Sequence, residues 1–383
     1  MKREKSRGPC RLPGFFLITG VLVASVNALA QGSSTDRSPG LEKGAFSDFR
    51  VYSNAYSIDK LTRGDFTNPE FSYPRLFASA SATAGVYVAE RGCRLALERR
   101  YSGAVVTTSE TLWAYNSFEK DRLILKENQL VDLRYKSFTL SGNGVSYGCE
   151  FVGPHTQLAL TVRWTNLSRF DFRRYDGRLV DSPQGIDTRL TEQRIALAPQ
   201  LEGLQESSNR GRLLSLDLHY AWSGPGGRWP GRLAVENLFS RVSIDRAAFL
   251  NRSLNGIVAE STIFQRGQVS PLTGTYGNQA YQASLPRVWQ IQAGNTLGHN
   301  KTMFLSALGV DETYQRGIGF RVGCLRGCLE SPDLKSYQIE VDERFKMLSF
   351  SVQTQRWILG VGLRLPDGFS LSSVHSIELS YVY

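Results

Sequence analysis

The sequence predicts an all-β protein that folds as one transmembrane, antiparallel up-and-down β-barrel of roughly 12–16 strands. Three observations lead to this prediction. Apolar side chains recur at every second position along most of the 383-residue chain, which is the period of a strand. These alternating segments are about ten residues long, the length of a tilted strand that crosses a bilayer. Short polar turns alternate with longer polar connections, as expected for a barrel with one short-turn rim and one long-loop rim.

The N-terminal segment predicts export from the cytoplasm. A basic start precedes an apolar run from Phe15 to Val26, and the small-x-small sequence Ala28-Leu29-Ala30 follows. This is the layout of a signal peptide comprising residues 1–30, whereas a membrane-spanning helix would need roughly 20 apolar residues. Residues 31–45 are expected to form a flexible periplasmic lead-in, and residues 46–383 a single transmembrane barrel domain.

The strands are read from alternation and the turns from Gly, Pro and Asn. The clearest strand is RLLSLDLHYAW at 212–222, and similar segments begin at 157, 336 and 357. Long polar connections are expected at 169–210 and 265–285. Within the first of these, 187–207 is the least strand-like part and is expected to form an external loop or a constriction inside the lumen. Short turns are predicted at 90–92, 141–144, 153–155, 224–231 and 365–368.

The last nine residues, HSIELSYVY, carry the most specific signal. The apolar face consists of Ile377, Leu379, Tyr381 and Tyr383, and the alternate positions are mainly polar. This strand resembles the C-terminal assembly signal of porin-like Gram-negative outer-membrane β-barrel proteins, without indicating a subfamily. The resemblance implies localisation in the outer membrane, contact with its lipid and lipopolysaccharide, and delivery by the barrel-assembly machinery. A soluble β-sandwich would show the same alternation, but no linker divides residues 45–383.

Four cysteines remain after removal of the leader, which contains Cys10. An even number of cysteines in an exported chain favours disulfides. Cys324 and Cys328 are close enough in sequence to form a local link, whereas Cys93 and Cys149 could pair only if the fold brings their strands together. A structural zinc site is disfavoured because the CxxC spacing is missing, so no metal is predicted.

Charged residues at the alternate positions are predicted to face the lumen. They could select a solute, or they could pair with each other and fill the interior. A slight excess of arginine would favour anionic or hydroxyl-rich solutes, including a polysaccharide. The predicted lumen residues are Arg94, Glu98, Arg163, Asp217, His219, Arg321, Glu340, Asp342, Arg344, Arg364 and Glu378.

Other functional classes receive less support. Removing residues 1–30 lowers the formal net charge from +10 to +6, and no block of Lys or Arg indicates a nucleic-acid partner. The four histidines, His155, His219, His299 and His375, lack the arrangement with serine that outer-membrane lipases use. No catalytic residue or cofactor is therefore predicted. The sequence favours a channel for polar solutes or polymers. A plugged barrel with a surface-structure, assembly or adhesion role is the alternative, and a lipid-modifying enzyme is the third.

Overall fold

The computed structural model describes the part of the chain from residue 41 to residue 382, with gaps between the strands. The described residues are 41–54, 75–119, 125, 129–182, 185–197, 210–224, 229–258, 272–298, 301–322, 336–342, 347–353, 357–364 and 374–382. In these ranges, no helix combines the length and the apolar character that crossing a membrane requires.

Within these ranges the chain forms sixteen strands and one helix. In chain order they are β1 (Glu42–Ser53), β2 (Arg75–Glu90), β3 (Cys93–Thr108), α1 (Ser109–Glu119), β4 (Leu130–Val152), β5 (Thr156–Ser182), β6 (Gly185–Leu197), β7 (Gly211–Trp222), β8 (Gly231–Val258), β9 (Leu272–Ala283), β10 (Val288–Gly298), β11 (Lys301–Val310), β12 (Thr313–Val322), β13 (Ser336–Asp342), β14 (Met347–Gln353), β15 (Trp357–Arg364) and β16 (Val374–Val382).

The strands close into one antiparallel barrel with 14 strand positions. The final strand β16 pairs with β1 between Val382 and Phe46, and β10 pairs with β8 between Val288 and Glu236. This closure pairs both ends of the strand path, which is the condition for crossing lipid with strands. Among the described residues, β9 pairs only with β8. The predicted fold class is confirmed. Strand β1 begins at Glu42, four residues before the predicted start of the barrel domain.

Two positions in the ring are each filled by two strands in succession. Strands β6 and β7 run one after the other along β5. Phe170 of β5 pairs with Leu197, the last residue of β6, and Leu167 of β5 pairs with Gly211, the first residue of β7. Strands β9 and β10 follow one another along β8 in the same way. Sixteen segments therefore occupy 14 positions, an even number as expected for a bacterial chain.

The predicted connections at 169–210 and 265–285 are wrong over much of their length. Residues 170–182 continue β5, residues 185–197 form β6 within the segment predicted to be least strand-like, and β9 occupies 272–283. These strands have polar side chains on both faces, so apolar alternation is missing. Their backbone groups are nevertheless paired with neighbouring strands.

The predicted turn at 141–144 is also wrong, because these residues lie inside the continuous strand β4. A Cβ added at Gly144 would collide with the carbonyl oxygen of Trp164 in the neighbouring strand. The glycine therefore permits close strand packing rather than a reversal of the chain. By contrast, Arg91 (φ 52°) and Gly92 (φ 80°) form the tight turn predicted between β2 and β3.

The outer face of the barrel carries an apolar belt. Its upper edge is marked by a row of polar residues that are paired side by side on neighbouring strands, namely Arg99, Asn143, Asn166 and Arg212. An exposed aliphatic and aromatic band with a polar border is suited to lipid. Exposed members of the belt include Val86, Leu97, Val145, Val162, Trp164, Leu214, Leu305, Ile318, Ile339, Phe350 and Leu359.

On the side of the long connections, parts of five neighbouring strands extend furthest beyond this polar border. We call this part the raised sheet: residues 130–138 of β4, 172–182 of β5, 185–195 of β6, 249–258 of β8 and 272–277 of β9. Helix α1 covers its outer face, where Trp113 and Ala114 join a cluster with Val131, Leu179 and Ile186. The raised sheet thus has a small core of its own.

The disulfide Cys93–Cys149 links β3 and β4 next to the short-turn rim. The two cysteines are directly opposite each other in the sheet, so the barrel supplies the proximity that their separation of 56 residues does not. Cys324 and Cys328 lie outside the described residues, and their pairing stays a prediction.

Candidate functional site

The barrel lumen is the candidate functional site, and an apolar layer fills its upper part. Inward side chains from opposite walls meet there in one cluster, and they are at most 5% exposed. The layer spans the lumen from the β2–β4 wall to the wall with Val310 on β11. Its buried members are Phe77, Ala104, Phe138, Leu140, Leu167, Phe170, Ile195, Leu197, Leu213, Val242, Ile244, Ala247, Leu285 and Val310.

The break between β9 and β10 contributes to this apolar layer. The backbone N–H of Leu285 donates a 2.8 Å hydrogen bond to Ser240 Oγ on β8. The Leu285 side chain joins the apolar cluster, and the carbonyl oxygen of Pro286 accepts a 3.2 Å hydrogen bond from Asn237 Nδ2. The break between β9 and β10 therefore adds the Leu285 side chain to the apolar layer. The backbone groups of Leu285 and Pro286 remain hydrogen-bonded.

Below the apolar layer lies a network of paired charges. Arg163 on β5 donates from Nη1 to Glu98 Oε2 at 2.5 Å and from Nε to Asp217 Oδ2 at 2.7 Å. Glu98 also accepts a 2.8 Å hydrogen bond from Ser146 Oγ. Glu98 and Asp217 are buried, and one guanidinium neutralises part of both carboxylates. Three predicted lumen residues thus pair with one another, although Glu98 Oε1 is buried without a hydrogen-bond partner among the described residues.

A bulge in β8 extends this network. Asn237 has φ 56°, in the left-handed region that asparagine tolerates. Its backbone N–H donates to Asp217 Oδ1 at 2.8 Å, and its side-chain oxygen accepts from Arg100 Nη2 at 3.3 Å. Arg100 also donates to Ser215 Oγ at 3.2 Å. The bulge thus inserts a polar backbone group and an amide among the buried charges.

A further set of contacts crosses the lumen from β1. Arg50 Nη1 lies 3.4 Å from Glu236 Oε1 on β8, nearly opposite in the ring. The same guanidinium contacts Asp48 at 3.2 Å and Glu378 at 3.6 Å through Nε. Tyr52 donates its hydroxyl hydrogen to Gln315 on β12, which is a second bridge across the lumen. These contacts join the two walls of the barrel.

The wall formed by β10 to β13 holds a separate polar cluster. Arg321 donates from Nη2 to Gln292 Oε1 at 2.7 Å and from Nε to Gln338 Oε1 at 3.1 Å. Its guanidinium lies 5.5 Å from the ring centroid of Phe304. Gln338 in turn donates to Glu340 Oε2 at 3.1 Å. These contacts hold the arginine against the wall.

A chamber of about 180 Å³ remains between these clusters. Its lining is mixed and includes Arg50, Arg232, Glu236, Gln315 and Glu378. The volume corresponds to a few water molecules, since one water takes roughly 30 Å³ in the liquid.

The structure places the remaining predicted residues as follows. Arg94 lies at the short-turn end of the lumen, 4.3 Å from the ring centroid of Phe46 and 5.1 Å from that of Tyr87. His219 is on the lumen side of β7 and is exposed there. Only the backbone is described for Asp342, Arg364 and Tyr381, and Arg344 and Tyr383 lie outside the described residues. Ile377 and Leu379 pair with β1 and β15.

Several central residues were missed by the sequence reasoning. Arg50, Arg100, Glu236 and Asn237 form the connections between walls, although none was predicted to line the lumen. In the segment 46–52, Asp48 and Arg50 alternate with apolar neighbours. This alternation could have identified Arg50 as a lumen residue. No local signal identifies Asn237, because its role depends on the bulge in β8.

The structure offers no obvious metal centre in the part of the chain that it describes, since no group of three His, Cys, Asp or Glu side chains converges there. The structure places two of the four histidines away from the charged lumen network. His155 lies in the turn between β4 and β5, and His375 is buried with Nδ1 3.2 Å from the carbonyl oxygen of Ser53.

Comparison with known proteins gives only distant similarities. No protein-family model and no curated protein matches the chain. Among solved structures, the translocator domain of autotransporter NalP from Neisseria meningitidis is 8% identical, with 96% of this chain and 95% of that chain covered and a TM-score of 0.29. The toluene transporter TbuX from Ralstonia pickettii is 8% identical, with 90% and 88% covered and a TM-score of 0.27.

A FadL homologue from Pseudomonas aeruginosa is 10% identical, with 89% of this chain and 86% of that chain covered and a TM-score of 0.26. These matches are Gram-negative outer-membrane β-barrels. Their TM-scores are too low to carry an argument about function. The closed sheet, the apolar belt and the enclosed polar interior of the chain itself are those of an outer-membrane β-barrel.

Proposed function

We propose that this protein is a self-plugged outer-membrane barrel that anchors the raised sheet outside the membrane. The observation that carries the proposal is the apolar layer, in which side chains from opposite walls pack into one buried cluster. In this role the barrel is a membrane-embedded support, and the raised sheet is the part that meets a partner. This corresponds to the surface-structure or adhesion alternative derived from the sequence.

The energetics support a stable plug. Exposing a buried Leu, Val or Phe side chain to water costs about 1.5–3 kcal/mol. For a layer with ten such side chains of this size, opening costs on the order of 15 kcal/mol or more. Spontaneous opening would therefore be rare. The bridge between Arg50 and Glu236 adds a second connection between the walls below the plug.

Conductance of the purified full chain in planar lipid bilayers tests the proposal. We expect no stepwise current from the native protein. The double variant Phe138→Ala/Phe170→Ala removes two buried rings from the layer and is expected to produce openings. The matched control is Phe320→Ala/Phe350→Ala, because these two rings are exposed on the lipid-facing side. Stepwise, salt-dependent openings of the native protein would contradict the proposal, whether or not the variants fold.

Passage of a small polar solute is the second candidate function. The chamber of about 180 Å³ with its arginine and glutamate lining is the observation that favours it. Conductance of the native protein that is reduced by a saturating polar solute would support this candidate over the plugged barrel. The variant Glu236→Gln would then test whether the chamber binds the solute, because this carboxylate lines the chamber.

We also propose the partners that the last strand implied in the sequence, namely the barrel-assembly machinery and the outer-membrane lipids. In the structure β16 is a fully paired member of the ring. Recognition of this strand by the barrel-assembly machinery, and contact of the belt with lipid and lipopolysaccharide, would deliver the chain to the place where its exposed apolar face is stable.

A further inference from the structure

The inner face of the raised sheet carries two rows of polar side chains above the apolar layer. By inner face we mean the side that continues the lumen wall. One row runs across four strands from Arg174 through Gln193 and Asn251 to Thr275. The next runs from Asp176 through Thr191 and Ser253 to Thr273. All eight residues line one open concavity of about 600 Å³.

These rows offer hydrogen-bonding groups in a regular array. Neighbouring strands lie about 4.8 Å apart and residues two apart on one strand about 6.8 Å. The hydroxyls are already ordered: Ser253 and Thr273 are 2.7 Å apart, and Thr191 Oγ1 donates to the Asp176 carbonyl oxygen at 3.0 Å. Each hydroxyl retains further hydrogen-bonding capacity. Such a surface is suited to a ligand that is itself rich in hydroxyl groups.

Above these rows, Arg178 on β5 lies directly opposite Arg189 on β6. Both side chains are exposed, and neither forms an ion pair with any residue that the structure describes. Like charges that face each other across a strand pair are destabilising. The sheet therefore tolerates an unfavourable pair at its upper inner edge.

A second arginine pair on the same two strands shows how the chain neutralises such a contact elsewhere. Arg173 lies opposite Arg194 on the outer face. Asp171 is 3.0 Å from the guanidinium of each, so one carboxylate bridges the pair. Asp132 on β4 lies directly opposite Arg178, but no carboxylate among the described residues contacts both inner arginines as Asp171 contacts the outer two. An anionic group of a ligand could bridge Arg178 and Arg189 as Asp171 bridges the outer pair.

We infer that the inner face of the raised sheet binds an anionic saccharide, whose carboxylate lies between Arg178 and Arg189 and whose hydroxyls contact the two polar rows. Arginine suits this role because its planar guanidinium binds a carboxylate with two parallel hydrogen bonds. This inference rests on the proposed function, in which the raised sheet is the part displayed to a partner. An acidic protein segment could satisfy the arginines but would leave the hydroxyl rows largely unused.

The experiment measures binding of oligogalacturonate by the full chain in lipid nanodiscs, using isothermal titration calorimetry. A neutral maltooligosaccharide of equal length tests the need for charge, and poly-glutamate tests the need for hydroxyls. We expect oligogalacturonate to bind more tightly than either. Arg178→Gln/Arg189→Gln is expected to weaken it at least about tenfold, the equivalent of 1.4 kcal/mol.

The matched control removes two positive charges from the opposite rim. Lys43→Gln/Lys301→Gln changes two exposed lysines near the short turns and is expected to leave the dissociation constant within about twofold. The arginine variant should keep the heat-modifiable gel shift of the native protein, because it relieves a repulsion. Thr191→Val/Thr273→Val should weaken oligogalacturonate binding without changing the weaker binding of poly-glutamate.

Three outcomes would overturn the inference. They are absence of oligogalacturonate binding, equal loss in the lysine control, and tighter binding of poly-glutamate than of oligogalacturonate. The last would assign the face to an acidic protein segment instead. Failure of the proposed function can be told apart from failure of this inference. The first would appear as conductance of the native protein, and the second as a result of the binding titrations.

Discussion

Arg50 and Glu236 face each other across the barrel lumen with 3.4 Å between Nη1 and Oε1, although 186 residues separate them in sequence. Glu236 also lies 4.0 Å from Arg100, and Arg50 also contacts Asp48. This pair joins the wall containing β1 to the wall containing β8. It therefore couples two parts of the barrel that the sheet itself connects only through six successive strand pairings.

A double-mutant cycle on this pair should reveal a measurable coupling. Arg50→Met, Glu236→Gln and the double variant are expected to give a coupling free energy of about 1–3 kcal/mol, because the two charged groups contact each other in the interior. Urea unfolding in lipid vesicles measures it. The matched control is the exposed pair Arg91 and Glu90, 3.7 Å apart, with an expected coupling of about 0–1 kcal/mol. Equal coupling for both pairs would contradict the role of the lumen bridge.

The lipid-facing belt predicts how the barrel tolerates a new charge. Leu216→Arg places a cation on the apolar outer face of β7 and should lower the free energy of unfolding by about 2–4 kcal/mol if it lies near the bilayer midplane. Asn143→Arg lies on the same face in the polar border and should cost about 0–1 kcal/mol. Ser215 is unsuitable as a control, because it is buried and accepts a hydrogen bond from Arg100. Similar costs at Leu216 and Asn143 would mean that the belt is misplaced.

The link between Cys93 and Cys149 predicts a redox-dependent stability. Cys93→Ser/Cys149→Ser is expected to lose about 2–4 kcal/mol of unfolding free energy through the greater freedom of the unfolded chain. The heat-modifiable gel shift, followed against temperature, measures the loss. Reductant should destabilise the native protein more than the double variant. Maleimide labelling of Cys93 in the non-reduced native protein would disprove the link.

The C-terminal strand predicts an assembly defect. Tyr383→Ser should lower the amount of protein in the outer membrane more than the amount secreted into the periplasm, if the terminal aromatic is part of the assembly signal. Tyr314→Ser is the control, since Tyr314 is an exposed tyrosine on β12 that lies outside that signal. Cell fractionation with immunoblotting measures both. Normal outer-membrane levels of the Tyr383 variant would remove the support for recognition of this strand.

The sequence predicted the wall of the barrel better than its contents. Alternation at 212–222 identified the face containing Leu214 and the face containing Asp217, because neighbouring side chains of a strand point to opposite sides. The same reasoning failed for residues 170–197, where polar residues occupy both faces. The sequence alone did not decide whether Cys93 and Cys149 form a disulfide, because the bond depends on the pairing of β3 with β4.

Sequence by itself determined the class of fold, the direction of the faces where apolar residues alternate, and the presence of charged side chains in the interior. These properties are local, since the two-residue period of a strand assigns each side chain to lipid or lumen. Tertiary structure alone decided that an apolar cluster packs inside the lumen, that Arg50 meets Glu236, and that five strands extend beyond the polar border as the raised sheet. Contacts across a closed ring depend on its number of strands and its register, and no short stretch of sequence specifies either.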